Sequence, residues 1–233
     1  MIRLENVRFC YGNGPDVIDS GELEIPSGLT MLLGPNGCGK TTLLKLLAGV
    51  EKPKSGRVIV EEIDLWREEV EARRRLAYVP DHPELTPYAT LREILTFVCR
   101  LRREAPSRVQ ETLERVGLEA MGHRSVRELS QGQRRRAVLA AAWIGRPRVL
   151  LLDEPFEAMD RNIREEILAW IEALVEQGAT AIVGTHEFET LVSRATAAMT
   201  IQVGGKLRLY GRLPEERSER LALVDNLARG LSA

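Results

Sequence analysis

Three cysteines, Cys10, Cys38 and Cys99, are too few and too irregularly spaced in 233 residues for a disulfide framework or a zinc site. A reduced, cytosolic setting is the expectation. Also missing is an unbroken apolar run near the roughly 20 residues that a membrane-spanning helix needs, since the longest candidates are interrupted by charges. Any membrane work would fall to a partner. Charge of one sign is absent too: 33 Lys+Arg stand against 34 Asp+Glu, a formal net charge of -1. An unselective nucleic-acid binder is usually markedly basic, so that class is disfavoured, with a local patch left open. No internal repeat or low-complexity block stands out. The opening MIRLENVRF alternates and carries charge, as a strand does and a signal peptide does not.

What is present is ample apolar content, 44 %, enough for a sizeable core. Strand-like runs are predicted at 2–9, 29–33, 57–60, 76–79, 149–152, 180–184 and 199–203, and helical periodicity at 40–48, 91–103, 108–116, 131–144 and 161–176. Continuous apolar strands such as VLLL and AIVG alternating with helices predict an α/β fold with a mainly parallel sheet covered on both faces. Residues from about 90 to 129 read as helices only, with turn signals at Ala105-Pro106 and Gly117, and predict a helical subdomain inserted into the α/β core of residues 1–89 and 130–212. The tail, 213–233, is charged and amphipathic, and both packing on the body and fraying stay open for it.

The stretch Leu129–Arg136, LSQGQRRR, poses a narrower question. Ser130 and Gln133 satisfy a Ser-x-x-Gln capping box, so a helix starts there. Gly132 in its first turn costs helix stability but lets another backbone or a ligand come close. A helix N-terminus is a ready anion site, and LSQGQ raises the question of whose anion it meets.

A phosphate site stands in LLGPNGCGKTT. Gly34, Pro35, Asn36, Gly37, Cys38, Gly39, Lys40, Thr41 and Thr42 follow a strand and open a helix, the context that G-x-x-x-x-G-K-[ST] requires. Glycines let the loop wrap so that backbone N–H groups point at β- and γ-phosphates, Lys40 neutralises charge, and the Thr41 hydroxyl reaches Mg²⁺. RVLLLDE then ends a buried strand in two carboxylates. Asp153 suits Mg²⁺ and Glu154 suits polarisation of an attacking water; a solvated strand end is the plainer alternative. His186 closes TAIVGTHE at the carboxyl edge of a parallel sheet, where an imidazole can bond the γ-phosphate or orient water. A histidine considered alone is more often incidental than catalytic.

In order, GPNGCGKTT, LSQGQ, VLLLDEP, EAMD and GTHE resemble the motifs of the ATP-binding cassette (ABC) ATPases, in particular the nucleotide-binding subunits of ABC transporters, over nearly the whole chain. The resemblance implies a P-loop NTPase core, an N-terminal antiparallel β region and the inserted helical subdomain. It implies ATP and Mg²⁺ as ligands, with Lys40, Glu154 and His186 catalytic. It also answers the LSQGQ question. Ser130, Gly132 and Gln133 match a signature that grips the γ-phosphate of ATP bound to a second subunit, in a homo- or heterodimer. Tyr11 matches the aromatic that stacks on adenine, although an aromatic there also suits a core. Asp160, in Glu157-Ala158-Met159-Asp160, matches the D-loop residue that bridges the two sites. Further implied partners are membrane permease subunits, which would hold the chain peripherally on the inner face of the cell membrane.

Two positions depart from the family pattern. Gln131 replaces the first glycine of the paired signature glycines. In YVPDHPEL, Asp81 stands where the Q-loop normally carries a Mg²⁺-ligating glutamine, and an aspartate can still bind the metal with shorter reach and full charge. Asp81 together with SGLTMLLGPNG looks more like the exporter-type branch than the nutrient importers. Residues from Pro83 to Thr90 are candidates for a groove that takes a permease's coupling helix, whereas Leu91, Ile94, Leu95, Phe97 and Val98 suit subdomain core. The competing classes are a soluble cassette ATPase acting on nucleic acid or ribosomes, with Arg73–Arg75 and Arg134–Arg136 as its basic clusters, and a poorly hydrolysing regulatory module. Clustered arginines beside glutamates usually form a solvated face, and the chain has no room for the long coiled coil of many soluble relatives.

Overall fold

Strand β1, Ile2–Phe9, shows how sequence alternation becomes a buried face. Ile2, Leu4, Val7 and Phe9 are buried, so the alternation slips by one residue in mid-strand. The cause is a register shift between Glu5 and Arg8, with Asn6 in the left-handed region at φ 50. The facing residue has to be glycine: a Cβ on Gly56 would lie 2.3 Å from the Asn6 carbonyl oxygen. Around β1 an antiparallel sheet forms from β2 (Ile18–Asp19), β3 (Glu22–Ile25), β5 (Ser55–Val60) and β6 (Ile63–Asp64).

The computed structural model describes residues 1–82, 85–157 and 159–231. Its second sheet has the order β11-β10-β4-β9-β8-β7. These strands are β4 (Gly28–Leu33), β7 (Leu76–Val79), β8 (Val149–Asp153), β9 (Thr180–Gly184), β10 (Ala197–Ile201) and β11 (Leu207–Tyr210). Pairing is parallel from β10 through β4 and β9 to β8, and antiparallel at the β10–β11 edge. Every residue of β4, β8 and β9 is buried, as expected for strands covered on both faces. β10 ends at Ile201, short of the expected Val203, because Gly204 and Gly205 (both φ 78) turn the chain there and leave Val203 99 % exposed.

Packing divides the chain into two units. The first holds Met1–Tyr78, Pro147–Pro155 and Ile171–Ala233, and therefore both sheets. Its helix α1, Lys40–Leu47, buries Leu43, Leu44, Leu46 and Leu47 at 0 % exposure and leaves Thr41 exposed and Lys40 and Lys45 partly so, so most of its surface lies in the core while its first turn opens outward. Each such leucine contributes roughly 1.5–3 kcal/mol of transfer free energy. Helix α2 (Glu69–Arg74) adds Ala72 to the same core. In the tail, helix α7, Arg217–Ala228, packs on β4 and β10 through buried Val224 and Leu227. It packs on the body, the first of the two alternatives that the sequence left.

The second unit holds Val79–Arg146 and Phe156–Trp170. It contains α3 (Leu91–Arg102), α4 (Arg108–Arg115), α5 (Gln131–Trp143) and the first part of α6 (Arg161–Glu176). The expected boundary at residue 130 differs from this division because α5 packs on both α3 and α4. Leu91, Leu95 and Cys99 form the buried stripe of α3, whereas Phe97 is 59 % exposed. Trp143 stacks on Trp170, with ring centroids 4.9 Å apart. Among the described residues, no helix is long and apolar enough to cross a membrane.

Candidate active site

The parallel strands of the first unit deliver their loops to one edge, and three of those loops carry the expected chemistry. After β4 comes the glycine-rich loop. Gly34 has φ 143, and a Cβ there would lie 2.8 Å from Cys38 Sγ, so the loop closes only with glycine at this position. Gly39 caps α1 at φ 111. No side chain caps that helix and no acidic residue stands in its first turn, in contrast to α3 and α5, whose ends are closed by capping boxes. The N–H groups of α1 are therefore available to an anion. Pro35, Asn36, Gly37 and Thr41 are exposed, and Cys38 is partly so.

Lys40 folds its ammonium over the loop, donating to the carbonyl oxygens of Gly34 at 2.7 Å and Pro35 at 3.1 Å. This sets a positive charge across the loop mouth. Thr42 is buried, and its Oγ1 lies 3.2 Å from the hydroxyl of Tyr11, whose ring is half exposed and meets Phe9 edge-on at 4.9 Å. Tyr11 is thus anchored at both ends to the loop's own neighbourhood.

Asp153 ends β8 buried, at 3 % exposure, in register with Gly184 of β9. Gly184 packs between helix α1 and the carboxylate, and a Cβ there would make only ordinary contacts. A Cβ there would lie 3.4 Å from Leu44 of α1 and 3.5 Å from Asp153 Oδ1. Glu154 follows with φ 48, unusual for a residue with a side chain, and its N–H donates to the Gly184 carbonyl at 2.8 Å. The strained turn aims its carboxylate at the loop after β9. Glu154 Oε2 lies 3.0 Å from His186 Nδ1 and accepts the His186 N–H at 3.3 Å. Two residues 32 apart in sequence are thereby paired beside the buried aspartate.

The remaining expected residues lie in the second unit. Ser130 accepts the Gln133 N–H at 3.2 Å while Gln133 Oε1 accepts the Ser130 N–H at 2.9 Å, so the predicted capping box is formed. Gly132 lies in the first turn that this box closes. Asp160 caps α6, its Oδ1 accepting from Ile163 N at 3.0 Å. Of the D-loop match, Ala158 lies outside the described residues, as do Pro83 and Glu84 of the groove expected between Pro83 and Thr90. Asp81 meets a cation: its Oδ1 accepts from Arg135 Nη2 at 2.5 Å.

Arg135 is the residue that sequence reasoning missed. It was grouped with Arg134 and Arg136 as a solvated face, yet it is 6 % exposed. The available signal was helical spacing, since Arg135 stands four and seven residues before buried Leu139 and Ala142. Its neighbours are committed as well, Arg134 to the carbonyls of Val126 and Arg127, and Arg136 to those of Val116 and Gly117. In the first unit Arg73 bonds the Gly49 carbonyl, and Arg74 and Arg75 pair with Glu71.

The arrangement joins an uncapped helix end and a lysine, which suit phosphate, to a buried aspartate, which suits a hard cation, and to a glutamate–histidine pair, which suits water. Comparison with known proteins agrees. A model of the ABC transporter family matches residues 20–157. The sulfate/thiosulfate import ATP-binding protein CysA of Synechocystis sp. is 37 % identical over 220 residues, covering 92 % of this chain and 61 % of that protein. CysA of Nocardia farcinica is 37 % identical over 228 residues, with 95 % and 68 % covered. The Fe(3+) ions import ATP-binding protein FbpC of Photorhabdus laumondii is 35 % identical, with 87 % and 59 % covered. The chain thus spans about three-fifths to two-thirds of the length of these relatives.

Among solved structures, a dimeric post-hydrolysis state of the ATP-binding cassette MJ0796 bound to ADP and Pi matches with a TM-score of 0.79 at 25 % identity, covering 91 % of this chain and 98 % of that one. An ATP-binding subunit of an ABC transporter shares the fold at a TM-score of 0.83 and 21 % identity, covering 96 % and 94 %. The exporter-type kinship expected from Asp81 is not supported, because the relatives named here are import proteins. With more than half of its length inside the family model and relatives above 30 % identity along most of the rest, this chain belongs to the ABC transporter family as one of its ATP-binding cassettes.

Proposed function

We propose that the chain binds and hydrolyses ATP as the energy-coupling subunit of an import-type ABC transporter, closing as a dimer on ATP and driving separate membrane-spanning partners. The observation that carries this reading is the pairing of Glu154 with His186 beside buried Asp153, at the sheet edge where the P-loop also emerges. Glu154 takes the proton of the attacking water, and His186 orients it through the imidazole. Lys40 and the α1 N–H groups hold the phosphates, and Tyr11 carries the adenine. The residues fit a divalent cation: Thr41 places a hydroxyl in the exposed first turn of α1, and Asp153 a buried carboxylate at the adjoining strand end. Bound there, Mg²⁺ offsets phosphate charge.

Each chain carries one P-loop and one LSQGQ helix, so a complete site needs two chains. The helix begun by Ser130 and Gly132 meets the γ-phosphate of the second subunit, with Asp160 at the seam. The dimeric MJ0796 cassette supports such an assembly. Import direction follows the names of the relatives, and their different cargoes, sulfate or thiosulfate and Fe(3+), support leaving cargo choice to the permease. For that permease the second unit offers a groove of about 370 Å³ lined by Leu85, Thr86, Ala89, Glu93, Ile94 and Phe97. Through it the chain sits on the inner face of the membrane. The arginine clusters bond within their own units, which favours transport over a nucleic-acid role.

Steady-state ATP turnover tests the reading. Glu154→Gln is expected to lower kcat by about 10²-fold or more, the usual contribution of a general base, with ATP affinity nearly unchanged. Turnover equal to the parent's would overturn the assignment.

A further inference from the structure

Three positions at which this chain carries charge converge in the second unit. The guanidinium of Arg135, on the second turn of α5, donates from Nη2 to Asp81 Oδ1 at 2.5 Å and to Glu157 Oε2 at 2.6 Å. Its Nη1 donates to the Glu157 carbonyl oxygen at 3.2 Å. Asp81 stands in the Q-loop match, Glu157 in the D-loop match and Arg135 just beyond the signature; in sequence they are 54 and 22 residues apart. The arginine side chain is 6 % exposed, and the carboxylates are 28 % and 51 % exposed. The buried cation is therefore the member that cannot do without its partners.

We propose that Arg135 is a positioning residue that pins the Q-loop and the D-loop to the start of the signature helix, and that Asp81 serves this ion triad and not the metal. The proposal rests on the cassette reading above for its functional consequence. Arg135 lies two residues after Gln133, whose carboxamide closes the capping box of Ser130, so fixing the guanidinium fixes the serine that meets the second subunit's nucleotide. A planar guanidinium is the group able to serve two carboxylates and a carbonyl at once; a lysine ammonium lacks that fork. A neutral glutamine at position 81 would form no ion pair, so the aspartate and the arginine account for each other. Committing Asp81 Oδ1 to Arg135 also removes that oxygen from metal binding.

The test uses the Glu154→Gln chain, titrated with Mg²⁺-ATP for half-dimerisation by light scattering, beside monomer affinity for a fluorescent ATP analogue. Adding Arg135→Gln is expected to raise the ATP needed for half-dimerisation at least about tenfold while monomer affinity stays within about twofold, since the P-loop is untouched. Asp81→Asn alone gives a smaller rise, and in the Arg135→Gln background it adds little, because its arginine partner is gone and what remains is the exposed His82, whose Nε2 lies 3.5 Å from Asp81 Oδ2. Arg135→Lys recovers only part of the loss. Half-dimerisation of Arg135→Gln at the parent's ATP concentration, or an Asp81→Asn effect that persists undiminished without Arg135, would overturn the triad. If Arg135→Gln does not fold, Asp81→Asn and Glu157→Gln form the cycle in its place, and strict additivity between them counts against a shared arginine. A Glu154→Gln parent that never dimerises sinks the proposed ATP-driven dimer alone. The triad is then judged by hydrogen exchange of the Gln133 and Arg134 amides, expected to quicken in Arg135→Gln and, if unchanged, refuting it.

Discussion

At the residue scale, the phosphate loop is the part of the molecule most open to sequence reading, because its chemistry is local. Gly34 and Gly39 are required by loop geometry within a few residues of one another, and Lys40 beside them lays its ammonium over the same loop. Lys40→Ala is expected to abolish ATP binding and leave the melting temperature nearly unchanged, since among the described residues its ammonium bonds two carbonyls of its own loop; equilibrium binding and thermal melting check both halves. Gly39→Ala is expected to damage fold and binding together. It forces a side chain to φ 111, at about 1–3 kcal/mol of strain, and sets a Cβ 3.0 Å from Val17 Cγ1. What was not legible at this scale is Arg135. A triplet of arginines reads as solvated charge until Asp81 and Glu157, far off in sequence, are seen to surround the middle one.

At the element scale, two helix starts carry testable weight. Ser130 closes the end of α5 by a reciprocal box, and Ser130→Ala is expected to lose about 1 kcal/mol, a fall of roughly 2–4 °C in Tm for a chain of this size. Thr90 and Glu93 form the same box at α3. The Thr90 N–H and hydroxyl both donate to the Glu93 carboxylate and hold its pKa below the ordinary value of 4.5. A depressed carboxylate stabilises the fold fully above its unfolded value and loses that contribution as pH falls through the folded one. The melting temperature of Glu93→Gln should therefore fall less steeply than the parent's below about pH 4.5, a comparison that thermal scans in acid buffers make directly. Both boxes match local sequence: Ser130-x-x-Gln133 predicts the start of α5, and helical periodicity places the first residue of α3 at Leu91. The limits of β10 were not legible, because the end of that strand is set by the turn at Gly204 and Gly205 and by pairing with β4. The membership of α5 in the helical unit was hidden for a similar reason, being decided by its packing on α3 and α4.

At the scale of the whole molecule, the order of motifs pointed to the cassette family, while the exporter-type kinship expected from Asp81 and SGLTMLLGPNG is not supported by the relatives found. Asp81 was weighed as a mark of lineage, whereas its setting is a local ion triad, and the relatives named above are importers. On the proposed function, LSQGQ of one chain completes the ATP site of another. The most direct test of this is the solution mass of Glu154→Gln by light scattering after size exclusion, with and without Mg²⁺-ATP. A monomer is expected without nucleotide and a dimer with it. A mass that remains monomeric at saturating Mg²⁺-ATP would contradict it.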